Sequence, residues 1–504
     1  MMCDYRLLQE QYILLRKELF GKKSEKQTIE DSEQVTLDEL LAEVAEQSEP
    51  PKPLEPDQDF VKVPAHNRRR KHPGRNAIPE DIPVVYHRIE PSEQEMECCG
   101  TRKAKIGEEI RKVVERIPAR YELHIYIRPK YACQKCKDGV TVAEPPLVSP
   151  IPKGIAGLRL MIFVMLSKYH YHLPLYRIQR QIYHESRIWF TRSTMVGWIR
   201  EFCVPLERVV REMIVALKKG PYIHADESPV RRVGDETGPF KAYMWVYVGA
   251  DDRIAIFDYK ESRGSDAPKS FLQDTPSGTY LMTDAYASYN QSIDKYNLIA
   301  MICMVHLRRE FIEAADVGVQ KAYALRIIRI IGQLYRIERF ATKKELSHEE
   351  RLALRKKYSA KIMEKLKVEL LNPGFALLPS SRIGKAIAYA LNHWEKAMRF
   401  LEAGYLPIDN NLCERVIRLL AIGRKNWISI MSEDGGKRMA ILYSIIMTCK
   451  LNNIDPEEYL ADVLMRLAVR PMNMSVADLT PVEWLKAKNG GKLPKQTPLY
   501  PNER

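Results

Sequence analysis

The chain has 504 residues, 29% of them charged, and a formal net charge of +14. That length suits about three or four domains, and the basic balance favours a polyanionic partner. The longest apolar run, Leu160 to Leu166, is far too short to span a membrane. Charges at the N-terminus interrupt what a secretory signal would need, and nine scattered cysteines do not form a disulfide framework. The expectation is a cytoplasmic protein.

The first element is a seam of Tyr5, Leu8, Tyr12, Leu15 and Leu19, alternating by three and four. It reads either as a short coiled-coil contact or as one amphipathic helix packing on its own protein. Residues 1–28 are assigned to this zipper-like helix. An acidic stretch with Pro50, Pro51, Pro53 and Pro56 follows; it cannot bury a core and reads as a linker over 29–64. Charge then reverses sharply at Arg68, Arg69, Arg70, Lys71 and Arg75, a candidate phosphate-contacting arm or a solvated loop.

Within 65–150, Cys133 and Cys136 have the C-x-x-C spacing that lets two thiolates grip one zinc ion. Cys98 and Cys99 are adjacent, and Met96 stands where the partner of a spaced pair would fall. The module is a zinc ribbon, with Cys98 or His124 completing the set, or a metal-free remnant. The stretch Tyr121 to Tyr131 is strand-like.

Residues 151–218 turn helical, with segments expected at Leu158–Ser167, Leu175–Tyr183 and Ser193–Val204. Ser193 or Thr194 is the expected cap of the third. The spacing fits a helix-turn-helix or a plain helical connector. Strand signals follow at Tyr222–Ala225, Ala242–Gly249 and Ile254–Tyr259. A helix near Ala267–Leu272, a strand ending at Asp284, a helix over Tyr286–Tyr296 and a strand at Leu298–Met304 come next. This order predicts a mixed α/β sheet of ribonuclease H-like type, in which the first and fourth strands are neighbours. A charged, all-helical insertion over about 313–400 follows, its charges expected on solvated faces. The catalytic domain is taken as 219–430 and a C-terminal domain as 431–504.

Asp226 and Asp284 end buried strands, and Glu414 sits on a helical stretch. Two strand aspartates and a helix glutamate suit a cage for two divalent cations, roughly 3.5–4 Å apart, acting on a phosphodiester. Glu227 rivals Asp226, but strand alternation sends the two side chains to opposite faces; Asp409 similarly rivals Glu414. His306 is read as a phosphate contact, an aid to proton transfer or a structural histidine. Arg308, Arg309, Arg415, Arg418, Arg424 and Lys425 are candidate phosphate ligands, and Trp427 a candidate stacking surface.

Five strings carry a resemblance: His224-Ala-Asp-Glu-Ser-Pro-Val230, Thr283-Asp-Ala-Tyr-Ala-Ser-Tyr289, His306-Leu-Arg-Arg309, Asp409-Asn-Asn-Leu-Cys-Glu-Arg415 and Gly423-Arg-Lys-Asn-Trp427. With Ser167-Lys-Tyr-His-Tyr-His-Leu-Pro-Leu-Tyr-Arg177 upstream and Leu451-Asn-Asn-Ile-Asp-Pro456 downstream, they resemble the insertion-sequence-66 family of bacterial DDE transposases. The resemblance implies a ribonuclease H-like core with the triad Asp226, Asp284 and Glu414, holding two Mg²⁺ or Mn²⁺ ions. It also implies a zinc-finger-like module and a short C-terminal domain. Expected partners are element-end and target DNA, a second copy when two ends are joined, and accessory proteins of the same element. A nuclease without joining activity, or an inactive DNA-binding descendant, are the alternatives.

Overall fold

A computed structural model describes residues 155–494 except 234–237, 250–252 and 318–319. It also describes 97–98, 101–102, 121–125, 127, 130–132 and 140–142. The zipper-like seam, linker and basic arm lie outside the described residues, as do Cys99, Cys133 and Cys136. The backbone divides into two units, 48–120 and the remainder. In the first, β1 (Glu97–Cys98) and β2 (Thr101–Arg102) form a small antiparallel pair. In the second, β3 (Lys130–Ala132) and β4 (Val140–Val142) form another. Of the strand expected over Tyr121–Tyr131, the described residues show strand at Lys130–Ala132 and none at 121–125 or 127. Leu123, Ile125 and Ile127 are exposed, so no apolar face there is covered to favour a ladder.

Three helices come next: α1 (Leu158–Tyr169), α2 (Leu175–Ser186) and α3 (Arg192–Lys218). The third runs well beyond Val204, through Pro205. Burial of Leu206, Val209, Met213 and Leu217 outweighs the backbone hydrogen bond that a mid-helix proline removes. Its cap is also not the expected one. Thr191 Oγ1 accepts from Thr194 N at 3.1 Å, which puts Ser193 and Thr194 inside the first turn.

The central sheet consists of β5 (Tyr222–Arg232), β6 (Phe240–Gly249), β7 (Ile254–Lys260), β8 (Tyr280–Thr283) and β9 (Ile299–Ile302). Their order is β7-β6-β5-β8-β9. The first three strands are antiparallel, while β8 and β9 join parallel to β5 and to each other. Met244 through Val248 are wholly buried, the unbroken apolar run of a strand covered on both faces. Between β7 and β8 lies α4 (Asp266–Leu272), and between β8 and β9 a 3₁₀ turn leads into α5 (Asn290–Tyr296). From α4, Phe271 stacks on Tyr247 with ring centroids 3.6 Å apart.

Met304 begins a helix rather than ending a strand. The helical block holds α6 (Met304–Val317), α7 (Lys321–Lys343), α8 (His348–Leu354), α9 (Ala360–Leu371), α10 (Arg382–Asn392) and α11 (Trp394–Met398). It has its own apolar core, built on Ile327, Ile331, Leu334, Met363 and Leu366 and continuous with Met282 and Met301 of the sheet. Not every charge in it is solvated. Arg355, on a π-helical turn, is buried in a two-pronged hydrogen bond to Glu338, at 2.7 and 2.8 Å.

The chain closes with α12 (Asn411–Trp427), α13 (Glu433–Leu451), α14 (Pro456–Val469) and α15 (Pro481–Lys488). Ser444 and Thr448 of α13 fasten that helix to β7 by hydrogen bonds. Phe257 N bonds to Ser444 Oγ at 2.8 Å and Ala255 N to Thr448 Oγ1 at 3.0 Å. Among the described residues no helix is long and apolar enough to cross a membrane.

Candidate active site

The pairing register brings two of the expected carboxylates together. The last parallel pair between β5 and β8 is His224 with Met282, and Asp226 and Asp284 each lie two residues further on. Equal offsets on adjacent parallel strands give the same face and the same edge. Asp284 follows directly after β8, with Oδ1 accepting from Tyr286 N at 2.9 Å. Its carbonyl accepts from Tyr389 Oη at 2.9 Å, so α10 of the helical block steadies this corner.

Glu414 joins them because α12 is tied to β5 at both ends. At its start, Asn410 is wholly buried. Its Nδ2 donates to Ala225 O at 3.1 Å and its Oδ1 meets His224 Nδ1 at 2.8 Å. A carbonyl can only accept, so the amide nitrogen faces Ala225 and the amide oxygen faces His224; His224 must then donate from Nδ1. The Asn410 amide N–H meets Cys303 Sγ at 3.2 Å, and Asn410 O accepts from Glu414 N at 3.1 Å. One residue thus links three elements, its side chain bonding to β5 and its backbone to Cys303 after β9 and to the first turn of α12. At the other end Arg424 Nη1 donates to Ser228 Oγ at 2.9 Å and Pro229 O at 2.7 Å. Ile430 completes the tie by bridging Arg232. Cys413, Val416, Leu419, Leu420 and Gly423 form the buried stripe beneath. Gly423 cannot carry a Cβ without shifts, since one would lie 2.8 Å from Trp427 Nε1, 2.9 Å from Tyr443 Oη and 3.0 Å from His172 Nδ1.

Asp226 lies within electrostatic range of Asp284 and Glu414, while Arg263 and His306 act on the cluster from its rim without hydrogen-bonding to these three acids. Burial, then the charges of Glu227, Asp284 and Glu414, push the Asp226 carboxyl up to about 7, against a hydrogen bond from Glu227 N at 2.8 Å that lowers it. Glu414 Oε1 is buried and lacks a hydrogen-bond partner. It lies 3.9 Å from His306 Nδ1, beyond hydrogen-bond reach. Burial lowers the His306 pKa, with Arg309 adding to the effect and Glu414, Asp284 and Glu310 opposing it.

The rivals are otherwise engaged. Glu227, its side chain 2% exposed, accepts from Arg263 at 2.6 and 2.8 Å and from Tyr289 Oη at 3.1 Å. Asp409 accepts from Asn411 through both oxygens. Cys303 lies with His306 and Glu414 in a cluster of metal-capable atoms within 4.8 Å. Burial raises its thiol to about 12, so it remains protonated and suits a hard cation poorly. Three carboxylates, with one oxygen buried and unpartnered, are by contrast a hard-oxygen donor set that fits divalent cations.

Of the basic residues on α12, Arg415, Arg418 and Lys425 are exposed, while Arg424 is engaged by β5. Trp427 packs against the core, so its indole is largely withdrawn from solvent. His306, Arg308 and Arg309 lie half-buried in the first turns of α6. Sequence reasoning misses Asn410, Arg263 and Tyr389 in the roles they take. Asn410 lies in one of the family-like strings, but only contacts across 185 residues disclose its function.

Comparison with known proteins places the chain in a family. The family described as "Transposase IS66 family" matches residues 153–438, more than half of the chain. The chain belongs to the IS66 transposase family. Three further family elements match in order: "Transposase C of IS166 homeodomain" over 7–86, "zinc-finger binding domain of transposase IS66" over 97–137, and "IS66 C-terminal element" over 444–482. The zinc-finger match spans Cys98, Cys99, Cys133 and Cys136. Among relatives, the uncharacterized protein y4hP of Sinorhizobium fredii is 29% identical, covering 94% of this chain and 88% of its own length. The uncharacterized protein y4qI of the same organism is 32% identical over 75% and 72%, respectively.

Proposed function

We propose that this IS66-family chain is an active DNA transposase that binds the ends of its insertion sequence, cleaves there and joins the freed strand to target DNA. The observation that carries the reading is the convergence of Asp226, Asp284 and Glu414, on two adjacent strands and a tethered helix, with no arginine or lysine hydrogen-bonded to them among the described residues. The sheet order, with its first and fourth strands adjacent, supports a ribonuclease H-like core.

Asp226, Asp284 and Glu414 would hold two Mg²⁺ or Mn²⁺ ions. Bound there, such ions supply Lewis acidity to the attacking and leaving oxygens of the phosphodiester. The chain's own residues supply position. Asn410 and Arg424 fix α12 against β5, Tyr389 fixes the Asp284 corner, and Arg415, Arg418 and Lys425 offer exposed cations to DNA phosphates. In cleavage a water oxygen bonds to phosphorus and the 3′-oxygen departs, taking a proton to become a hydroxyl. In joining that hydroxyl loses its proton, bonds to a target phosphorus and displaces the target's 3′-oxygen. Phosphoryl transfer of this kind rests on alignment and charge neutralisation, without a covalent protein nucleophile. The zinc-finger match over 97–137 supports a structural zinc ion in that segment, and joining two ends favours at least a dimer.

The test is a strand-transfer assay with Mg²⁺ and element-end DNA, comparing the intact chain with Glu414→Gln. Joined product from the intact chain alone supports the reading. Cleavage without joining would make it a nuclease instead, and equal joining by both would remove Glu414 from the site.

A further inference from the structure

The outer face of α2 and the turn after it form a basic and aromatic surface that the chemistry above leaves unused. Ile178, Gln179 and Ile182 point inward. The opposite stripe is Tyr176, Arg180, Tyr183 and Arg187, at steps of four, three and four, all exposed. Arg187 ends the helix in the left-handed region, φ 65°, and the turn then presents Trp189. Tyr176, Tyr183 and Trp189 are 41%, 43% and 56% exposed.

The rings and cations form one array. Arg177 and Arg180 lie 5.8 and 5.7 Å from the Tyr176 ring, and Arg187 lies 5.9 Å from that of Tyr183. Tyr183 meets Trp189 edge to face, with centroids 5.6 Å apart. Between residues 173 and 200 the sequence has five arginines and a single acid, Glu185. That carboxylate is turned to the Tyr121 hydroxyl at 3.0 Å and to Gln181 at 3.1 Å. The surface therefore offers positive charge with no free carboxylate among its described residues.

We infer that this face binds single-stranded DNA, the arginines taking phosphates and Tyr183 and Trp189 stacking on unpaired bases. Charge complementarity selects a polyanion. The exposed rings select the form, because a duplex hides its base faces while an unpaired strand offers one at every nucleotide. In the transposase reading, on which the biological source of the strand rests, this would be a strand left unpaired at a processed end.

Binding of the full-length chain to a labelled oligothymidylate of about 12 nucleotides, without divalent metal, tests the inference by fluorescence anisotropy. Trp189→Ala should weaken binding roughly 5- to 150-fold, the usual range for removal of one base stack, with Trp189→Phe restoring most of it. Arg180→Ala with Arg187→Ala should lower the salt slope by about 0.7 for each phosphate that is no longer neutralised. Unchanged melting temperatures confirm that both variants are folded. Trp189→Ala binding like the parent would overturn the inference. So would a duplex of equal length that binds as tightly and is weakened as much by the substitution, since the face would then serve paired DNA. Strand joining measured on the same preparations separates the two readings. Joining with no Trp189 effect removes the surface alone, and a Trp189 effect without joining removes transposition alone.

Discussion

Two buried acidic positions in this chain are treated in opposite ways. In the helical block Glu338, 12% exposed at its side chain, is gripped by Arg355, 1% exposed. Arg355 directs its remaining donor to Phe400 O and Ala403 O. Midway along β5, Asp226 has a neighbouring Asp284 and Glu414 and a single backbone hydrogen bond. The first arrangement is complete in the protein itself. The second would be completed by a cation, in the reading proposed above. Adjacent Glu227 makes the contrast local, because Arg263 and Tyr289 satisfy it one residue away. A fold that supplies a guanidinium to Glu227 and hydrogen-bonds none to Asp226 fits the cation site proposed above.

The comparison breaks most visibly at Asp226→Asn. Strand joining should fall on the order of 10³-fold or more, about 4 kcal/mol in the barrier, while the metal-free protein melts no lower than the parent. A lower melting temperature would mean that the carboxylate is structural after all. Glu338→Ala should do the reverse. Leaving Arg355 buried and unpaired should cost about 3–5 kcal/mol of stability, measurable by urea denaturation, and a cost below about 1 kcal/mol would dissolve the contrast.

Next in size is Asn410→Ala, which removes the side-chain tie between β5 and the start of α12 without touching a carboxylate. Misplacement of Glu414 should reduce joining by roughly 10²-fold with DNA affinity unchanged in a filter-binding assay. Smaller still is the response to metal. Mg²⁺ at about 100 times its dissociation constant should stabilise the parent by about 2.7 kcal/mol and Asp226→Asn by far less, read from melting curves. Equal stabilisation of both would place the cation elsewhere.

Much of this was legible in the sequence because it is local or periodic. The alternation and apolar runs around Trp245 and Ile256 mark strands, and the stripe from Cys413 to Leu420 marks a helix. Asp226 and Asp284 stand out because acids beside apolar runs are costly to bury without a purpose, and Glu414 through the string that holds it. Where the local signal misled, tertiary burial had prevailed. Pro205 reads as a stop, yet α3 passes through it because its later turns are fully packed. Arg355 reads as a solvated charge, yet Glu338 and two carbonyls offset its desolvation.

The sequence by itself determined the elements and the residue types that their chemistry requires, since propensity, periodicity and side-chain pKa act within a few residues. Only the tertiary structure decided which acids converge and which are neutralised. Whether Asp226 or Glu227 keeps a free carboxylate depends on Arg263 and Tyr289, brought in from 36 and 62 residues away. Whether Glu414 reaches Asp226 depends on Asn410 bonding to Ala225 and on Arg424 bonding to Ser228. Those are contacts between distant segments, where electrostatics and hydrogen bonding depend on distance in space and not along the chain.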